Sequence, residues 1–278
     1  MAGLFLCTLF QEVITLLGRI LRPFFGKKRL FGFYSKLYNL SLVGMNIGLG
    51  GNIRFSGEIN EMSYVKAHSS GKRPLVIFDV GANKGQYTTS LLKFFEGTDT
   101  EIHCFEPGHE TFKTLSVNIG EISSVTLNNF GLSDKKSESV LYYDKAGSGL
   151  ASLYKRQLDY FNIGFEQSEQ VSLDTLDSYV EAKNITTIDL LKIDVEGNEL
   201  NVLAGAAESL ANGTIRAIQM EFGGCNIDSR TFFRDFWNLL HKDFAMYRIM
   251  RDGLLEITKY DERLEIFTCT NFFFARRQ

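Results

Sequence analysis

The stretch Phe78-Asp-Val-Gly-Ala-Asn-Lys-Gly-Gln-Tyr-Thr88 decides how this chain is read. It is entered from a short apolar run, Leu75-Val-Ile-Phe78, of the kind that forms a buried strand. It is left along Gly85 to Phe95, where Tyr87, Leu91, Leu92 and Phe95 recur at helix spacing until Gly97 stops them. Between strand and helix lie Asp79, Gly81, Asn83 and Gly85. Gly81 lets the backbone turn at little steric cost, and Gly85 lets a ligand or a helix come close. Strand, glycine turn and helix in that order can cradle a nucleotide cofactor, but the turn alone does not say which one.

Working outward, the pattern repeats. Glu101–Phe105 reads as a second strand closed by Glu106-Pro107. Glu106 falls 21 residues after Gly85, where a carboxylate can accept hydrogen bonds from both hydroxyls of a ribose. A helix over 109–118 and a strand over Val125–Asn128 follow, then an inserted strand at Ser139–Tyr143 and a loop at Gly147–Ser152. The spacing next predicts a helix over Leu173–Ala182 capped by Asp174, a strand at Ile188–Ile193, and a helix from Glu199 to Leu210. A strand at Ile215–Met220, a helix over Thr231–Phe244, and strands at Met246–Met250 and Asn271–Ala275 complete the chain. Strand and helix in alternation predict an α/β fold with a doubly wound, mostly parallel sheet. Ligands of such sheets lie outside the carboxyl ends of the strands. The polar residues fall at those ends: Asp79, Gly81 and Asn83, then Glu106, then Asn129 and Gly131, then Asp194 and Glu196, then Glu221.

Four segments together carry a resemblance: FDVGANKGQYT (Phe78–Thr88), CFEP (Cys104–Pro107), LNNFGLSD (Leu127–Asp134) and LLKIDVEGNELNVLAG (Leu190–Gly205). In order and spacing the region from about 74 to 275 resembles the FkbM family of S-adenosylmethionine-dependent methyltransferases. The resemblance implies a Rossmann-like class I methyltransferase fold, a mostly parallel sheet with an antiparallel C-terminal strand. It also implies S-adenosylmethionine as cofactor and O-methylation of a hydroxyl on a sugar, glycan, glycolipid or other hydroxylated metabolite. Carried over by motif, Asp79, Gly81, Asn83 and Gly85 surround the methionine part of the cofactor and Glu106 its ribose. Pro107 and the turn from Asn129 to Gly131 enclose the adenine, and Tyr87 and Asp194 complete the expected cofactor set. Two rival readings stand beside this one. Tyr179-Val-Glu-Ala-Lys183 matches the Tyr-x-x-x-Lys pair of NAD(P)-dependent reductases, yet GANKG lacks the glycine pattern those enzymes use, and the match reads as a coincidence on a surface helix. The other rival is a catalytically inactive protein that kept the fold for binding.

A hydroxyl is a poor nucleophile until its proton leaves, so a general base or a metal must assist. Asp194, Glu196 and Glu221 are the candidate catalytic residues, with His109 a further candidate at the crevice. Asp194 and Glu221 end strands expected to be neighbours and could bind Mg²⁺ through oxygen ligands. Glu196 could instead cap the helix that starts near Asn198.

Composition bounds the rest. A chain of 278 residues, 44% hydrophobic and with only three prolines, buries a full core and is no disordered linker. The net charge of −3 offers no global basic field, so no nucleic-acid partner is expected. Four cysteines without a CxxC pair argue against zinc or a disulfide frame and for a reduced, cytoplasmic setting. Charge is uneven: residues 1–36 carry a net +5 and the remainder a net −8. Leu6, Leu9, Phe10, Val13, Leu16, Leu17, Ile20, Leu21 and Phe24 recur at helix spacing ahead of the cations, and no apolar run reaches the ~18 residues of a spanning helix. Residues 1–73 are therefore expected to be an amphipathic helix plus a glycine-rich connector, and 74–278 the S-adenosylmethionine-binding domain. Residues 1–30 suit peripheral contact with the cytoplasmic membrane surface, or packing on the body or on a second copy in a homo-oligomer.

Overall fold

The computed structural model describes residues 18–19, 22–49, 56–69 and 71–277. The chain forms two compact units, residues 1–45 and 46–278. In the first, short 3-10 turns at Arg22–Phe24 and Lys28–Leu30 lead into helix α1, Phe31–Gly44. Most of the expected amphipathic helix over residues 6–24, and residues 50–55 of the glycine-rich connector, lie outside the described residues.

The second unit is built on an eight-stranded sheet. Its strands are β1 (Leu75–Val80), β2 (Thr100–Phe105), β3 (Val125–Asn128), β7 (Leu190–Ile193), β8 (Ala217–Phe222), β9 (Phe244–Met250), β10 (Gly253–Ile257) and β11 (Thr270–Arg276). The order across the sheet is β10-β9-β11-β8-β7-β1-β2-β3. Strands β3, β2, β1, β7 and β8 run parallel, and β11 enters antiparallel between β8 and β9. The order reverses at β1, which sits between β2 and β7, and this switch opens the crevice outside its carboxyl end. Strands β4 (Gly131–Leu132), β5 (Ser137–Tyr143) and β6 (Gln167–Asp174) form a separate small sheet in the order β4-β6-β5.

Apolar residues cover both faces of the large sheet, as a parallel sheet requires. On one face Phe78, Val80, Ile193 and Phe222 pack with α5 (Leu176–Lys183), α6 (Glu199–Ala204) and α9 (Phe233–Leu240). On the other, Ile77, Ile102, Cys104 and Leu190 pack with α2 (Ile59–His68), α3 (Gln86–Phe94) and α4 (His109–Ile119). Leu91, Leu115, Leu203 and Phe236 are fully buried, and each such side chain contributes roughly 1.5–3 kcal/mol.

The second unit begins at Asn46 and so takes in residues 46–73 together with 74–278. The Asn46 amide donates to the carbonyl of Ile249 (3.0 Å), and Gly57 (φ +87°) sits so close to the Met250 carbonyl that a Cβ would lie 2.1 Å from it. Some expectations need correction. The helix expected from Leu173 starts at Leu176, because Leu173 and Asp174 pair with β4 in the small sheet. Its cap is Thr175, whose Oγ1 accepts from the Ser178 N–H (3.1 Å). The helix expected over Glu199–Leu210 is two pieces, α6 and α7 (Ala207–Ala211). Gly205, between them, presses on the Ser133 carbonyl, where a Cβ would lie 2.0 Å away.

Candidate active site

The register of β1 on β7 sets Asp79 opposite Lys192. Asp79 is fully buried and Lys192 nearly so. The Lys192 ammonium lies 3.3 Å from Asp79 Oδ1 and 3.3 Å from Asp194 Oδ2, bridging the carboxylates that end the two strands. Thr88 Oγ1 donates to the other Asp79 oxygen (2.6 Å). Burial alone would lower the Lys192 pKa, but Asp79 and Asp194 override it and raise it, so the lysine stays charged. Above this pair the backbone turns at Gly81 (φ +81°), where a Cβ would lie 1.8 Å from the Asp194 carbonyl oxygen. The exits of β1 and β7 thus touch only because residue 81 has no side chain. Gly85 serves a different contact: a Cβ there would meet Leu115 and Ile119 of α4 at 3.0 and 3.1 Å.

The crevice over these turns is a narrow cleft of about 60 Å³. Gly81, Asn83, Glu106, Pro107, Gly131, Asp194 and Glu196 line it, and Ser148, Gly149, Ala151 and Leu153 of the loop after β5 close it from above. Glu106 is 7% exposed. Its Oε2 accepts from the Asn83 N–H (3.0 Å) and its Oε1 from the Gly108 N–H (2.9 Å). Burial outweighs both donors and pushes its carboxyl up to about 7. The Asn83 side-chain oxygen is buried and has no hydrogen-bond partner among the described residues.

Past Asp194 the carboxylates crowd. Glu196 holds a left-handed backbone (φ +52°), and Arg156 Nη1 donates to its Oε2 (2.5 Å). The Arg156 Nε lies 3.6 Å from Asp228 Oδ2, and Ser152 Oγ donates to the Glu196 carbonyl (2.7 Å). Burial, then the nearby Asp194 and Glu221, raise the Glu196 carboxyl well above its ordinary range. Glu199 is fully buried and accepts from the N–H groups of Val195 (3.3 Å) and Gly197 (2.9 Å) and from Asn226 Nδ2 (3.2 Å). Burial pushes it up to about 7. Burial and then Asp194 push Glu221 up to about 8.

Of the residues singled out from sequence, seven meet at the cleft: Gly81, Asn83, Glu106, Pro107, Gly131, Asp194 and Glu196. The others stand elsewhere. Asp79 lies beneath the floor, held by Thr88 and Lys192. Gly85 belongs to the α3–α4 contact. Tyr87 points into the core on the far side, its hydroxyl donating to Glu61 Oε1 (2.8 Å). The Asn129 amide donates to the carbonyls of Glu106 (2.9 Å) and Pro107 (3.2 Å), so it props the Glu106–Pro107 turn. Glu221 stands off the cleft lining and reaches it electrostatically through Asp194. His109 turns to Glu169 (2.5 Å) on the exposed side. Glu196 does not cap the following helix; Glu199 takes the N–H groups of that turn. Tyr179 is a core residue, bonded to His103 Nδ1 (2.8 Å) among Phe78 and Phe105, which removes the reductase reading of its motif.

Sequence reasoning passed over Lys192, Glu199, Arg156 and Glu58. Lys192 had a signal, being the one charge inside the apolar run Leu190-Leu-Lys-Ile193. Glu58 comes from before the expected domain: its Oε1 accepts from Gln219 Nε2 (2.8 Å) and its Oε2 from Ser56 Oγ (2.5 Å). Among the described residues no group of three or more His, Cys, Asp or Glu is disposed to hold a metal ion.

A doubly wound sheet with a carboxylate-lined cleft at its switch point is the architecture of a class I methyltransferase. The Methyltransferase FkbM domain pattern matches residues 79–249, and the chain belongs to the FkbM methyltransferase family. It is 26% identical over 145 residues to the 2-O-methyltransferase NoeI of Sinorhizobium fredii, covering 49% of this chain and 58% of that protein. It is 24% identical over 149 residues to the hexuronic acid methyltransferase AglP of Haloferax volcanii, covering 53% and 56%. The chain thus spans less than three-fifths of the length of these relatives. Among solved structures it is similar to an FkbM methyltransferase of Methylobacillus flagellatus, with 15% identity, a TM-score of 0.45 and coverage of 74% of this chain and 46% of that one.

Proposed function

We propose that this chain transfers a methyl group from S-adenosylmethionine to a hydroxyl of a sugar or glycan. The observation that carries the reading is one cleft lined by both a buried ribose-type carboxylate, Glu106, and Asp194, with Glu221 off the lining but near enough to Asp194 to feel its charge. The residues fit that cofactor. Glu106 retains acceptor capacity beyond its two backbone donors, and Asn83 presents a buried oxygen with no partner among the described residues. When bound, S-adenosylmethionine supplies an electrophilic methyl group on a sulfonium. Glu106 would hold the ribose hydroxyls of that cofactor, and Lys192 holds Asp194 in place at the cleft wall. Glu221 takes the acceptor's hydroxyl proton on a carboxylate oxygen. A base with a pKa of about 8 is well matched to that task near neutral pH. We favour this direct base over a bridging Mg²⁺, because Asp194 is already committed to the Lys192 ammonium. The sugar class rests on the relatives named as a 2-O-methyltransferase and a hexuronic acid methyltransferase.

The test is transfer of labelled methyl from S-adenosylmethionine into glycan and lipid extracts, followed by mass analysis of the product. Glu221→Gln keeps the shape and removes the charge, so turnover falls by roughly 10²-fold while S-adenosylhomocysteine affinity holds. Near-normal turnover in that variant removes Glu221 from the mechanism. Loss of activity with a chelator, restored by Mg²⁺, replaces the direct base by the metal.

We further propose peripheral contact of residues 1–30 with an anionic membrane at the cytoplasmic surface. Phe24, Phe25, Phe31 and Phe33 are exposed beside Arg22, Lys27, Lys28 and Arg29, and no helix of the described residues is long and apolar enough to cross a membrane. Flotation with anionic liposomes should weaken with salt, since each cation contributes roughly 1 kcal/mol there. Equal flotation without residues 1–45 refutes the contact. Conversion of a dimer to a monomer by that truncation assigns the segment to self-association instead.

A further inference from the structure

The sheet has a second cleft, of about 350 Å³, at the edge opposite the candidate active site. Asp189 precedes β7 on this side and Asp194 follows it on the other, so about 17 Å of strand separates the two. Arg73, Arg216, Arg276 and Arg277 line it, with the ring pair Tyr64 and His68 on one wall.

The charges are unevenly matched. Asp189 is the only carboxylate among the lining residues, and it is consumed by Arg73: Nη1 lies 2.6 Å from Oδ2 and Nη2 2.8 Å from Oδ1. Among the described residues Arg276 has no counter-charge. Its Nη1 donates to the Leu210 carbonyl (2.8 Å), and its guanidinium lies 5.4 Å from the centre of the Phe244 ring. Arg216 and Arg277 are exposed and make no ion pair among the described residues. This net positive cleft stands in residues 37–278, which together carry a net −8. Guanidinium groups gathered around one concavity repel each other unless an anion sits between them, and their planar forks match phosphate oxygens in two-point contacts. Tyr64 and His68, stacked with centroids 3.9 Å apart, offer a flat wall to whatever carries the phosphate.

We propose that this cleft is a binding site for a diphosphate-type anion, in which Arg216 and Arg277 grip the phosphate oxygens and Arg73 and Arg276 stand pre-set beside them. The site is separate from the methyl-transfer cleft and does not rest on its assignment.

The experiment is calorimetric titration of the full chain with inorganic pyrophosphate at low salt. Saturable one-to-one binding that weakens as salt rises is expected. The variant R216E/R277E should lose roughly tenfold or more in affinity, and R216Q/R277Q a smaller part of it, because charge-assisted contacts are removed. R251E changes charge outside the cleft and should bind as the native chain does. S-adenosylhomocysteine affinity and the melting temperature, measured on each variant, show that the fold is intact. Absence of saturable binding, unchanged affinity in R216E/R277E, or an equal loss in R251E overturns the site.

Discussion

Replacing Lys192 by methionine tests the charged floor beneath the cleft. Methionine nearly preserves the length of the side chain but removes the ammonium that lies 3.3 Å from both Asp79 and Asp194. Asp79 is then left fully buried with only the Thr88 hydroxyl, and Tyr87 loses the cation 5.3 Å from its ring. Removing one partner of a buried ion pair costs about 3–5 kcal/mol, because the other charge stays desolvated. At roughly 2–4 °C per kcal/mol for a domain of this size, the melting temperature should fall by about 6–20 °C. The assay is thermal unfolding followed by circular dichroism, with guanidinium titration as a second measure. A double-mutant cycle sharpens it. Asp79→Asn keeps an acceptor for Thr88 and removes the orphan charge, so the double variant should recover much of the loss and show a coupling of about 0.5–3 kcal/mol. Melting within a degree or two of the native chain for Lys192→Met, or strict additivity in the cycle, would refute the claim that the pair is a charged, buried unit.

Two further outcomes follow from the carboxylates. Glu106→Ala should weaken S-adenosylhomocysteine binding by on the order of 2–3 kcal/mol through the lost charge-assisted contacts, read by calorimetry; unchanged affinity takes Glu106 out of the ribose site. Stability should fall as pH rises through the neutral range. Burial raises Glu106 and Glu199 to about 7 and Glu221 to about 8, from an ordinary value of 4.5. The folded chain therefore keeps protons that the unfolded chain has released between pH 4.5 and 7–8, and the stability this gives below 4.5 is lost on the way up. Thermal melts across that window should decline, and Glu199→Gln, which cannot ionise, should flatten the decline; a rising melting temperature contradicts the burial of these groups.

Much of the site could be read along the chain because its determinants are local. An apolar run, a glycine turn and an amphipathic helix within residues 75–95 are consecutive, and their period and punctuation dictate strand, turn and helix whatever lies around them. The same holds for Glu106 after β2 and for Asp194 and Glu196 after β7, since the end of a strand is marked where its apolar run stops. Position at a strand end does not say where a side chain points, however. Tyr87 and Glu106 both sit in family motifs, yet the α3 face that carries Tyr87 turns to Glu61 while Glu106 lines the cleft. Only tertiary structure decides such matters. The pairing of Asp79 with Lys192 is a matter of strand register across residues far apart in sequence, and the grip of Arg156 on Glu196 depends on how the loop after β5 folds back. Glu58 and Glu61 reach the sheet only because α2 packs on it, and the arginines of the second cleft come together from the ends of different elements. Periodicity fixes what each segment becomes. The burial of one segment against another fixes which charges meet, because a buried charge must find its partner wherever the packed chain brings one.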